Sequence, residues 1–102
     1  MNLDKIGVEV ADLTPEMAEQ FGYKDGSKGA VITGVERGTL ADQGGLRRGM
    51  LIVKADKEPV KSAANLKEAV EKGSVKKGVL LQVQTPQGGT NFVMLKAEDE
   101  GK

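Results

Sequence analysis

Three observations predict an α+β domain of five to six short strands with two helices: aliphatic runs of strand length punctuated by glycine, two segments with helix start and stop residues, and a length of 102 residues, enough for one modest core. Gly supplies 14 positions and only three residues are aromatic, so Val, Leu, Ile and Ala must fill that core. Ile6-Gly7-Val8-Glu9-Val10 alternates apolar and other residues with period two, the mark of a half-buried strand opened by a glycine. A short helix follows, with Thr14 as its N-cap, Pro15 at the first helical position and Gly22 closing it. Met17, Ala18 and Phe21 fall three or four apart and give this helix one face for the core.

After the polar loop from Tyr23 to Gly29, Ala30-Val31-Ile32-Thr33-Gly34-Val35 has the β-branched richness of a buried strand. Thr39 caps a very short helical turn through Gln43, ended by Gly44-Gly45 before Leu46 returns to the core. Met50 to Ala55 forms the next strand, followed by a polar turn at Asp56-Lys57-Glu58 and Pro59. Ser62 caps the clearest helix, Ala63 to Lys72, in which Leu66, Ala69 and Val70 recur at helical spacing and Gly73 is the stop. Val79 to Gln84 and Thr90 to Leu95 flank Pro86-Gln87-Gly88-Gly89 as a hairpin.

Composition excludes several functions. Fifteen basic and fifteen acidic residues cancel, so no long-range field draws the chain to nucleic acid or to an anionic membrane surface. There is no run of about 18 apolar residues, and the N-terminus lacks the apolar stretch of a signal peptide; with the Ala97 to Lys102 tail resembling a severed linker, the chain reads as a piece of a longer one. The absence of Cys rules out disulfides and thiolate metal sites, and the absence of His removes the usual general base and the commonest metal ligand. No catalytic residue, metal site or cofactor is expected. Glu9, Asp12, Glu16, Glu19, Glu68 and Glu71 read as a solvated charged surface rather than as a paired-carboxylate site. The glycine-rich stretch 22–29 lacks the Gly-Lys-Ser/Thr ending of a phosphate loop and precedes a strand, and Asp56 with Glu58 lacks the ligand spacing of a calcium loop.

What remains is Ile6-Gly7-Val8. Gly7 lets the backbone approach a ligand closely, and the successive N–H groups of Ile6, Gly7 and Val8 are placed to form an anion-holding concavity that needs no net charge. An extended peptide would then add along the open edge of the following strand, beside the Ala63 to Lys72 helix. On the residues alone, an ordinary strand start with a structural glycine fits the same pattern.

The full order of segments resembles a bacterial PDZ domain of the HtrA/Do-like (DegP-type) serine proteases over about residues 5–96, with 97–102 as a flexible tail. The resemblance rests on Ile6 through Glu16, Lys28 through Val35, Gly38 through Ala41, Gly45 through Gly49, and Pro59-Val60-Lys61-Ser62 leading into the helix. It implies a small, partly open β-barrel or sandwich and a non-catalytic module that binds hydrophobic-ended C-terminal peptides of unfolded or misfolded proteins for a protease domain in the same chain. By that resemblance Ile6-Gly7-Val8 holds the peptide carboxylate, Val8-Glu9-Val10 is the pairing strand, and Lys67 and Val70 face the groove from the helix. Ile6, Val8 and Val70 then line the pocket for the terminal side chain, while Leu66 packs in the core. Ala63 stands where many eukaryotic relatives carry a His, which implies a hydrophobic terminal preference without hydroxyl selection; Lys67 would favour an acidic residue further in. Burial of one terminal side chain contributes about 1.5 to 3 kcal/mol, which sets affinity in the micromolar region.

Lys5 is a further candidate for neutralising the carboxylate, and core burial is the alternative for Val8, Val10 and Val70. The chain departs from the family at Thr39-Leu40-Ala41 and at Arg47-Arg48-Gly49-Met50, positions expected to affect the turns more than the groove. Its opening is more similar to the second, C-terminal PDZ of these proteases, a position associated with oligomer assembly; oligomer contacts and a structural role with a closed or occupied groove form the alternative. A periplasmic or cell-envelope location follows from the family alone.

Overall fold

A computed structural model describes residues 2–3, 6–24, 27–72 and 78–96. Among them are seven strands: β1 (Asn2–Leu3), β2 (Val8–Asp12), β3 (Ala30–Val35), β4 (Leu51–Ala55), β5 (Glu58–Pro59), β6 (Val79–Gln84) and β7 (Thr90–Leu95). Three helices accompany them, α1 (Pro15–Phe21), α2 (Leu40–Gln43) and α3 (Ala63–Lys72). All pairings are antiparallel and the strands run in the order β1-β2-β3-β4-β6-β7, with β5 paired to β4. The sheet does not close into a barrel. The strand count exceeds expectation by the two-residue β1 and β5, and the third helix is the turn anticipated after Thr39.

Local chemistry explains the elements. Thr14 Oγ1 accepts the Met17 N–H at 3.1 Å and Gly22 closes α1 at φ 90°, where a side chain would strain the backbone. Thr39 caps α2 by accepting the Asp42 N–H. Ser62 Oγ accepts the Asn65 N–H at 3.1 Å in the first turn of α3; the expected stop at Gly73 lies outside the described residues. The β6–β7 hairpin turns through Gly88 at φ 93°, and its six paired positions keep Val79, Leu81 and Val83 inward.

One buried cluster holds the layers together. Ile6, Val8 and Val10 from the start of the chain meet Ile32, Leu46, Ile52, Leu66, Val70, Leu81 and Leu95 in it. Each such aliphatic side chain contributes about 1.5 to 3 kcal/mol relative to exposure. The face of α3 expected inward is inward: Leu66 and Val70 are buried and Ala69 half-buried, with Ala63 buried beside them. Helix α3 thereby lies across β2, β3 and β4.

Candidate functional site

The segment ahead of β2 is built from behind by the α2 turn. The Ile6 carbonyl accepts the Ala41 N–H at 2.9 Å, and the Gly7 carbonyl accepts the Glu36 N–H at 2.9 Å. Both peptide units that follow are trans, so each N–H points opposite to the carbonyl it is joined to. Anchoring the carbonyls of Ile6 and Gly7 on the α2 side therefore turns the amides of Gly7 and Val8 the other way. Gly7 sits at φ 79°, and a Cβ there would lie 2.2 Å from Cβ and Cγ2 of Thr39. The backbone angle and Thr39 packed behind the loop are each enough to require glycine here.

The amides of this loop have a partner within the chain. Ile6 and Gly7 donate to the Leu3 carbonyl at 3.1 and 2.8 Å. β1 lies on the edge of β2 opposite to β3, with Asn2 facing Glu9 and Leu3 facing Val8. Leu3 is 4% exposed and joins the buried cluster that contains Ile6, Val8, Val10 and Val70. Ile6, Gly7, Val8, Glu9 and Val10 are thus contiguous on one loop and strand, and Val70 shares their cluster.

Val8, Val10 and Val70 are buried with Leu66, as the core-burial alternative expects. Lys67 is exposed, one helical turn beyond Ala63 and three residues before Val70, hence on the same flank of α3. Glu9 is exposed, and its Oε1 and its main-chain carbonyl each accept the Thr33 hydroxyl at 3.2 Å, so both lean toward β3. Lys5 lies outside the described residues. A cleft of about 400 Å³ on the other flank of α3 is lined by Asp56, Glu58, Asn65, Ala69 and Lys72, away from β2.

Three positions escaped the sequence reading of this site. Asp12, at the end of β2, accepts the Ala63 N–H through Oδ1 at 2.7 Å and so ties the strand to the first turn of α3. Thr39 was visible as a helix cap but not as the wall behind Gly7, and Leu3 carried no signal, since two residues show no period.

A family model described as PDZ domain matches residues 31–85, and the chain belongs to that family. It is 35% identical over 98 residues to a "Probable periplasmic serine endoprotease DegP-like" of Chlamydia pneumoniae, covering 95% of this chain and 20% of that protein. A "Putative serine protease HhoA" of Synechocystis is 31% identical over 85 residues, covering 76% of this chain and 22% of the relative. The chain thus spans about a fifth of the length of these curated relatives. Among solved structures, the HtrA3 PDZ domain bound to a phage-derived ligand superposes with a TM-score of 0.77 at 25% identity, covering 91% of this chain and 83% of that one. The HtrA-type protease AlgW with a decapeptide gives a TM-score of 0.80 at 30% identity, covering 89% of this chain and 27% of that one.

Proposed function

We propose that this chain acts as a single peptide-binding domain that takes hydrophobic-ended, extended C-termini by strand addition, and that it serves a DegP-like serine protease of the periplasm or cell envelope. The observation that carries the reading is the Leu3 contact: the Ile6 and Gly7 amides converge on a main-chain oxygen whose residue buries an apolar side chain among Ile6, Val8 and Val70. A peptide's last residue presents the same two features, with an ionised carboxylate in place of the carbonyl. In this reading Ile6, Gly7 and Val8 hold the carboxylate, the strand Val8-Glu9-Val10 is the one the peptide pairs with, Val70 shapes the terminal pocket, and Lys67 meets an acidic residue further in. Exposed C-termini of unfolded or misfolded proteins are the ligands, and a protease domain of the same chain is the beneficiary. Support comes from the peptide-bound HtrA-type structures that this chain resembles.

The test is a titration with a Leu- or Val-ended peptide and its C-terminally amidated twin, followed by amide NMR. Shifts at Ile6, Gly7 and Val8 with the free carboxylate and much weaker ones with the amide are expected; equal shifts from both would refute carboxylate binding. The Leu3 contact also favours a second reading, a structural or assembly role with an occupied groove, which is preferred if neither peptide binds.

A further inference from the structure

We infer that β1 is a resident competitor for the ligand edge of β2, so that a peptide enters only by displacing Asn2–Leu3. This rests on the peptide-binding reading and adds a regulator to the same site. Strand β2 has two edges. β3 covers one through five paired positions, from Val8 to Asp12, and among the described residues β1 covers the other at two, Val8 and Glu9. The direction of β1 matters. With Asn2 opposite Glu9 and Leu3 opposite Val8, it runs antiparallel to β2 and delivers its carbonyl to the Ile6-Gly7 turn, as the last residue of an incoming peptide would. Leu3 then stands for the terminal residue and Asn2 for the one before it.

The competitor is matched to one ligand chemistry. A two-residue strand is a weak occupant compared with the longer pairings of the sheet. Its carbonyl is neutral, whereas a C-terminal carboxylate is ionised and makes shorter, stronger hydrogen bonds to the same N–H groups. A peptide that offers only another neutral carbonyl exchanges like for like and gains little. One that offers a carboxylate gains at the amides of Ile6 and Gly7. The resident strand therefore lowers affinity for every peptide but widens the gap between free and blocked C-termini.

A cross-link tests this. Asn2 and Glu9 are opposed and exposed, and the chain has no cysteine, so Asn2→Cys with Glu9→Cys places the only two thiols across β1 and β2. The oxidised full-length variant, with the fold checked by NMR, is expected to bind the Leu-ended free-carboxylate peptide at least about tenfold more weakly than the same variant after reduction. Leu3→Gly, which empties the pocket without a cross-link, is expected to bind about tenfold more tightly than the unaltered chain. Equal binding by the oxidised and reduced forms would overturn the inference and leave the peptide reading standing, as would an unchanged affinity in Leu3→Gly. Absence of binding by the reduced form, by Leu3→Gly and by the unaltered chain would overturn both. In that last case slow hydrogen exchange at the Ile6 and Gly7 amides marks β1 as a purely structural strand.

Discussion

Replacing Gly7 by alanine forces two penalties onto one residue. The backbone is left-handed at φ 79°, which costs a non-glycine residue about 1 to 2 kcal/mol. The new methyl carbon would also stand 2.2 Å from Cβ and Cγ2 of Thr39 and 2.4 Å from its Oγ1, so Thr39 must move. Thr39 is not free to do so: its hydroxyl donates to the Glu36 carbonyl at 2.7 Å and its backbone starts α2. Overpacking of that kind costs about 1 to 3 kcal/mol, so Gly7→Ala should lose about 2 to 5 kcal/mol, a large share of the stability of a domain of this size. Urea unfolding of four proteins separates the two penalties: the unaltered chain, Gly7→Ala, Thr39→Gly and the double variant. Thr39→Gly removes the opposing Cβ while costing the α2 cap only a few tenths of a kcal/mol, so the double variant should recover about 1 to 3 kcal/mol relative to additivity. Additive losses would show that Thr39 is not what demands a glycine at this position.

Two further outcomes follow from single contacts. Tyr23 donates to the Gly49 and Gln84 carbonyls at 2.5 and 3.0 Å, and burial, opposed by a main-chain hydrogen bond at Leu51, raises its phenol above the ordinary value. The folded state therefore favours the neutral phenol, a stabilisation complete below the unfolded pKa of about 10 and lost as pH rises through the folded one. Tyr23→Phe should be about 1 kcal/mol less stable near neutral pH, with the gap narrowing above about pH 10 in paired urea titrations; a constant gap would contradict the assignment. Asp12→Ala removes the acceptor for the Ala63 N–H and should cost about 1 kcal/mol with faster hydrogen exchange at Ala63. Asp12→Asn, which keeps an oxygen there, should retain most of that protection, and identical behaviour of the two would dismiss the cap.

The elements with local signals are legible in the sequence. Thr14-Pro15 and Gly22 mark α1 because the groups that start and stop a helix sit within a few residues of its ends. The period of Leu66, Ala69 and Val70 marks α3, and the alternation of β6 with the turn at Gly88 marks the hairpin. What the sequence hides depends on distant partners. β1 is a strand only because β2 lies beside it, and Asp12 reads as a surface acid until the chain returns at Ala63, 51 residues later. Glu58–Pro59 reads as a turn because its pairing is supplied by Lys54 and Ala55 of β4. The family pattern points to the Ile6 to Val10 segment, but neither the family nor the periodicity names Leu3, the residue whose carbonyl touches its amides.

The carbonyls of Ile6 and Gly7, held by Ala41 and Glu36, have a thermodynamic consequence for recognition. The orientation of the loop amides is settled during folding, so the entropy of aligning those donors is lost before any ligand arrives and does not weigh against binding. Lys67 is different: its exposed side chain keeps its rotamer freedom and must surrender it for each contact it makes. Under the proposed function, a ligand's terminus would therefore meet a rigid template and its upstream residues an adaptable one. Ligand variation would then be tolerated along the strand and refused at its end.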